Sequence, residues 1–211
     1  MLNKKIIVVT GGAGLLGSRF CSAIAEQSGT AIIADLDMAA AEAVAEKIIA
    51  NGGKAESAAL NITDSISVDS LISTLNERYG RIDAVVNNAY PRNKNYGRKL
   101  EDVTYTDFCE NVSMHLGGYF LVAQKFGLYF REHNGGNIVN MASIYGTMTP
   151  RFEIYADTPM TMAVEYSAIK SAVIHITRFL AQYFKADRVR CNSISPGGIF
   201  DHQPDAFVEK Y

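Results

Sequence analysis

Residues Lys5 to Gly17, KIIVVTGGAGLLG, constrain the fold more than any other stretch of the chain. An apolar, β-branched run, Ile6-Ile7-Val8-Val9, breaks at Thr10-Gly11-Gly12. A helical pattern restarts at Leu15-Leu16 and continues through Phe20, Ile24 and Ala25. That order is a strand, a tight glycine turn and a helix N-terminus. Backbone N–H groups at such a turn can come close to a ligand, and the helix dipole favours an anion there. A Cβ would block either the turn or the approach of a pyrophosphate. Gly11, Gly14, Leu15, Leu16 and Gly17 are therefore candidate contacts to a dinucleotide. An ordinary β–α turn has the same local pattern, so the turn alone does not decide between the two. The second strand adds weight to the dinucleotide. Ala31-Ile32-Ile33-Ala34 reads as that strand and ends in Asp35. A carboxylate there can accept from both ribose hydroxyls of an adenosine and repels a 2′-phosphate. Leu36 adds no basic side chain to bind one, so NAD is expected rather than NADP.

The rest of the chain alternates strand and helix. Ala39 to Ala50 is a helix closed by Asn51-Gly52-Gly53, and Lys54 to Leu60 a third strand. Asp64 to Tyr79 is an amphipathic helix with Asp64 or Ser65 as its N-cap. Ile82 to Val86 is a fourth strand ending at Asn87-Asn88-Ala89-Tyr90. A long helix over Phe108 to Phe130 stops at Gly135-Gly136. Asn137 to Met141 is a fifth strand, Met162 to Phe184 a helix and Val189 to Ile194 a sixth strand. Strands separated by helices, with no tight hairpin, imply an α/β, doubly wound Rossmann fold: a parallel sheet with helices on both faces. Ligands bind at the carboxyl ends of such strands. Thr10, Asp35, Asn61, Asn87-Asn88, Ser143 and Pro196-Gly197 all fall at that edge.

The 211 residues suit one domain, with 48% hydrophobic and 20% charged residues. A net charge of −2 gives no global attraction to nucleic acid or to an anionic membrane. Cys21, Cys109 and Cys191 are scattered without CxxC spacing and read as reduced thiols of a cytoplasmic protein. The apolar run after Lys4-Lys5 is too short for a signal peptide, and no stretch is long enough to span a bilayer. The histidines show no metal-ligand spacing, and no metal is expected.

Chemistry is expected at Ser143, Tyr166 and Lys170. Tyr166 and Lys170 are one turn apart on a helix and share a face. A free tyrosine, with a pKa of about 10, is a poor base near neutrality. A nearby ammonium favours the phenolate and makes a general acid/base for a hydroxyl or carbonyl oxygen. A serine hydroxyl can polarise that same oxygen. Tyr90 and Lys94 also match YxxxK, but they lie in a loop with Pro91 and need not share a face, so they are set aside. Four residues on from Tyr155 stands Pro159, not a lysine.

The glycine turn, Asp35, Asn87-Asn88-Ala89, Ser143, Tyr166-x-x-x-Lys170 and Pro196-Gly197 occur in the order found in the short-chain dehydrogenase/reductase family, which the whole chain resembles. The resemblance implies reversible hydride transfer between nicotinamide and a carbinol or carbonyl carbon. Tyr166 would be the proton donor and acceptor, Lys170 would also bind the nicotinamide ribose, and Ser143 would orient the substrate oxygen. Asn88 and Ala89 would line the adenosine-ribose side, Asn61 stands where an aspartate usually meets adenine, and Ile199 would meet the carboxamide through its backbone. Ile62, Tyr90, Pro196 and Gly197 are further expected cofactor contacts. It further implies a homodimer or homotetramer packed through the two long helices.

Several positions depart from the family pattern. TGxxGxxG is usual in the extended, nucleotide-sugar branch, and the 23 residues from Ser143 to Tyr166 exceed the compact-branch spacing. Asn87-Asn88-Ala89 and Pro196-Gly197 are compact-branch features. Aligning Gly118-Tyr119-Phe120 puts His115 where an asparagine usually positions a proton-relay water, with Asn111 as the fallback. Asp201 stands where a threonine often meets the cofactor phosphates. The chain ends at Tyr211, before the last strand and much of the substrate lid that members carry, so one domain over residues 1–211 with an incomplete C-terminal end is expected. Arg92, Lys94, Arg98 and Lys99 after the fourth strand, with Arg151, suggest an anionic sugar-type substrate. Phe152, Tyr155, Met160 and Met162 could form a sugar platform or pack a lid. NNAYPRNKNYGRK, HLGGYF and ASIYGTMTPRFEIY are similar to oxidoreductases of bacterial flagellin-modification and nonulosonic-acid pathways. Two other readings stay open: a nucleotide-sugar epimerase or dehydratase that holds NAD tightly, and a non-catalytic cofactor-binding module.

Overall fold

A computed structural model describes residues 1–211. Its strands are β1 (Ile6–Thr10), β2 (Thr30–Asp35), β3 (Lys54–Ala59), β4 (Ala84–Asn87), β5 (Gly136–Met141) and β6 (Val189–Ile194). Its α-helices are α1 (Leu15–Glu26), α2 (Met38–Ala50), α3 (Ser65–Tyr79), α4 (Tyr105–Val112), α5 (Gly118–Glu132), α6 (Val164–Tyr183) and α7 (Asp205–Lys210). The strands form one parallel sheet in the order β3-β2-β1-β4-β5-β6. The order reverses between β1 and β4, and a crevice opens at the carboxyl ends of strands beside such a switch point.

Two cores explain the apolar runs. In β1, Ile6 and Val8 enter one core and Ile7 and Val9 the other, following the two-residue period of a strand. In β2, Ile32 and Ala34 face the first and Ala31 and Ile33 the second. Helices α1 and α2 close the second core with Cys21, Ile24, Ala41, Ala45 and Ile48. Helices α3, α5 and α6 close the first with Leu71, Phe126, Phe130 and Val173, among others. A strand covered on both faces has no polar side to show, which is why β1 reads as unbroken hydrophobe.

Element boundaries differ from the sequence reading where a cap decides them. Asp64, not Ser65, caps α3 by accepting from Ile66 N at 2.9 Å, and left-handed Gly80 ends it. Thr104 accepts from Asp107 N at 3.1 Å, so α4 begins at Tyr105, ahead of the expected Phe108. β4 starts at Ala84 rather than Ile82, β3 stops at Ala59, and α6 starts at Val164. The expected single helix over 108–130 is three pieces. A five-residue π-helical turn, Ser113–Gly117, separates α4 from α5. Phe120 on α5 and Phe179 and Tyr183 on α6 are exposed. No helix is long and apolar enough to cross a membrane.

Candidate active site

The glycine turn is built by contacts that a side chain would break. Gly11 has φ +62°, and a Cβ on it would lie 2.7 Å from Ala89 Cα. A Cβ on Gly17 would lie 2.1 Å from the Gly11 carbonyl oxygen. Gly17 is thus a packing residue that lets α1 sit against the turn, and it does not line the crevice as expected. Asn88 holds the turn from the far side, donating from Nδ2 to the carbonyls of Thr10 and Gly11, both at 3.1 Å. Thr10 Oγ1 in return accepts from the backbone N–H groups of Asn88 (3.0 Å) and Ala89 (3.1 Å). Helix α1 has no capping side chain and no acidic residue in its first turn, whereas Asp37, Asp64 and Thr104 cap α2, α3 and α4. Its first N–H groups therefore face the crevice without a side-chain acceptor.

The crevice is a cavity of about 650 Å3. Apart from Gly17, every cofactor residue expected from the sequence lines it, from Gly11, Gly14, Leu15 and Leu16 through Asp35, Leu36, Asn61 and Ile62 to Asn88, Ala89 and Tyr90 and on to Tyr166, Lys170, Pro196, Gly197 and Ile199. Pro91, Arg92, Met141, Ala142 and Asp201 line it as well. Asp35 accepts from Ala13 N at 3.0 Å and from Asp37 N at 3.1 Å, one bond to each oxygen. A carboxylate oxygen has a second lone pair, so both remain able to accept from a ribose diol. An uncapped helix start, a glycine cradle and a free carboxylate face fit a dinucleotide. No group of three His, Cys, Asp or Glu residues could hold a metal ion.

At the other end, α6 carries Tyr166 and Lys170 to the floor of the cavity. Lys170 is 4% exposed, and burial lowers its ammonium to about 7. Its Nζ donates to the Met141 carbonyl at 2.6 Å and lies 3.3 Å from His115 Nε2. The rings of Tyr90, Tyr119 and Tyr166 surround it, their centroids 5.8, 5.3 and 5.5 Å away. Tyr166 departs from expectation. Burial raises its phenol above the ordinary tyrosine value, and a hydrogen bond with Ser143 opposes that rise. Burial outweighs the expected push toward phenolate, and the ammonium itself is directed at the Met141 carbonyl and His115. Ser143 is buried, and its Oγ accepts from Tyr145 N at 3.2 Å.

His115 sits in the π turn, 1% exposed, with burial first and Lys170 second holding it well below the usual histidine range. It is a neutral imidazole. With Nε2 accepting from the lysine, the ring proton is on Nδ1, which meets no protein acceptor. Asn111 is turned elsewhere. It donates to the Asp107 carbonyl (2.9 Å) and to Glu165 Oε1 (3.3 Å) and accepts from Asn93 N (2.9 Å). The fallback residue is thus engaged in a polar network with Asn93, Asp107 and Glu165.

Several other residues lie elsewhere than expected. Lys94 is exposed and outside the cavity, while Tyr90 is central: its ring meets Tyr166 edge-on at 5.9 Å and its hydroxyl lies 2.6 Å from that of Tyr96. Phe152, Tyr155, Met160 and Met162 do not line the cavity. Tyr155 packs on Phe207 of α7, 5.2 Å between centroids, and bonds to Met162 sulfur at 3.3 Å, whereas Phe152 is exposed. Arg151 pairs with Glu153 at 3.1 Å, away from the cavity.

The sequence profile of the short chain dehydrogenases matches residues 5–203. Post-translational flagellin modification protein A of Campylobacter coli is 36% identical over all of this chain and 83% of its own length. The 7α-hydroxysteroid dehydrogenase of Bacteroides fragilis is 31% identical over 92% of this chain and 71% of its own. Among solved structures, NAD-bound xylitol dehydrogenase is 25% identical and superposes with a TM-score of 0.83 over 94% of this chain and 73% of its own. The chain belongs to the short-chain dehydrogenase/reductase family of nicotinamide-dependent oxidoreductases.

Proposed function

We propose that the protein is an NAD-dependent dehydrogenase or reductase acting at a carbinol or carbonyl carbon of a sugar derivative. One observation carries this reading: a single cavity joins the glycine turn and Asp35 at one end to Tyr166 and Lys170 at the other. When bound there, the nicotinamide supplies or accepts the hydride. Gly11, Gly14 and the start of α1 hold the pyrophosphate, and Asp35 holds the adenosine ribose. Ser143 donates to the substrate oxygen. Tyr166, protonated at neutral pH, gives that oxygen its proton in reduction and takes it back in oxidation. Lys170 holds the nicotinamide ribose, and His115 acts as a positioning residue that fixes the lysine. A sugar substrate is supported by the likeness to a flagellin-modifying protein and to xylitol dehydrogenase. NADH formation on a panel of sugar phosphates, nucleotide sugars and polyols tests the reading; no turnover on any of them sinks it.

NAD over NADP rests on Asp35 and on Leu36, which is 77% exposed beside it. Asp35→Ala is expected to weaken NAD by roughly 10- to 100-fold, the loss of two charge-assisted hydrogen bonds. NADP should weaken far less, and an unchanged cofactor ratio would remove Asp35 from the ribose site. His115→Leu removes an acceptor from a buried ammonium. The limb of the pH–rate profile that reports Lys170 should then move to lower pH by on the order of one unit. A profile that stays in place would leave His115 as packing only.

TGxxGxxG and the long Ser143–Tyr166 spacing favour a second reading, an epimerase or dehydratase that regenerates its NAD. NAD found bound after purification, with no net NADH release, would identify it.

A further inference from the structure

The basic rim expected from the sequence is narrowed by the structure to one side chain. Arg98 is committed to Asp107 at 3.8 Å and to Asn95 Oδ1 at 2.7 Å. Arg151 is paired with Glu153. Lys94 and Lys99 are exposed and do not line the cavity. Arg92 does line it, has no carboxylate partner, and lies with its guanidinium 5.2 Å over the ring of Tyr90. That same ring meets Tyr166 edge-on and faces Lys170, so one aromatic ring connects the guanidinium to the proton donor and the lysine. Lys170 also lines the cavity but is buried and directs its ammonium at Met141 and His115, which leaves Arg92 as the exposed cation there.

The backbone next to Arg92 is fixed. Asn93 N donates to Asn111 Oδ1 at 2.9 Å, and Asn93 Nδ2 donates to Asp107 and Glu110, both at 2.9 Å. Asn95 Nδ2 adds a bond to Asp107 at 2.7 Å. Asp107 and Asn111 are buried, and Asn111 reaches Glu165, the residue before Tyr166. A polar network thus ties the loop to the helix of the proton donor. A planar guanidinium held on a fixed stem and stacked on an aromatic face is suited to bidentate oxyanion recognition.

We infer that Arg92 anchors an anionic substituent of the substrate, a carboxylate or a phosphate, and so selects charged over neutral sugars. The inference rests on the reading that the Tyr166 end of the cavity takes the substrate, but not on hydride transfer occurring. It is tested by calorimetry on the Tyr166→Phe protein saturated with NAD, titrated with glucose, glucuronate and UDP-glucose, with and without Arg92→Gln. At least one anion should bind about 10- to 100-fold more tightly than glucose, and Arg92→Gln should abolish that preference while Arg92→Lys restores part of it. Glucuronate and UDP-glucose separate a carboxylate from a phosphate ligand. No preference for either anion, or a preference that survives Arg92→Gln, overturns the inference. A parallel titration with NAD alone covers the remaining source of phosphate: if Arg92→Gln weakens NAD itself, the guanidinium serves the cofactor and the inference is wrong.

Discussion

Tyr166→Phe should lower kcat by about 100- to 10,000-fold, the usual worth of one positioned general acid/base, with NAD binding nearly intact. The hydroxyl is the only atom removed, and the ring keeps its contacts with Tyr90 and Lys170. Other tyrosines crowd the same lysine, so the experiment also decides among them. Burial pushes Tyr90 up to about 12 and Tyr119 higher still. Tyr119 is fully enclosed, its hydroxyl 3.5 Å from the Met141 carbonyl. Tyr166 alone has Ser143 opposing its rise. Because burial keeps its phenol protonated near neutrality, turnover in the oxidative direction should climb with pH more steeply than in the reductive one. Retained turnover in Tyr166→Phe would end the assignment, and Tyr90→Phe would be the next variant to measure.

Lys170→Met should abolish most activity yet flatten the dependence of stability on pH. The lysine titrates at about 7 in the folded protein against an ordinary value of 10.5. Between those values the unfolded chain binds the proton more readily, so native stability rises with pH across that window. The burial penalty is full below pH 7 and gone above 10.5. At about 1.4 kcal/mol per unit, the protein should gain roughly 2 kcal/mol from about pH 7 to about pH 9 that Lys170→Met does not. Denaturant unfolding of both proteins at the two pH values reads this difference directly. Parallel slopes would mean that the lysine reaches water or an unseen anion in the native state.

The chain alternation and the sheet were legible because both faces of the sheet are covered, which leaves long β-branched runs such as Ile6–Val9 with no polar interruption. That Asp35, Tyr166 and Lys170 reach one cavity could be anticipated because strand ends and one helix turn set their positions by local geometry. What could not be read depends on residues far apart in sequence. The bonds joining Asn93 and Asn95 to Asp107, and Asn111 to Glu165, leave no periodic trace. Nor does the burial that raises the Tyr166 phenol, or the turn of Lys170 toward Met141. Arg92 stood in a run of similar cations, and only its place in the cavity, over the Tyr90 ring, and the pairing of Arg98 and Arg151 distinguish it. The winding change before α5 is equally silent, because the apolar spacing on either side of it is ordinary.

That change of winding has its own consequence. One extra residue in a helical turn rotates everything beyond it by about 100° relative to a straight helix. The phase of α4 is set by the loop that Asp107 and Asn111 grip, and the phase of α5 by Tyr119 and Phe126 in the core. The turn at Ser113–Gly117 works as a phase adapter between two grips that a uniform helix could not satisfy together. Deleting one residue from it would force a choice: either the loop at Asn93 lets go, or His115 swings away from Lys170.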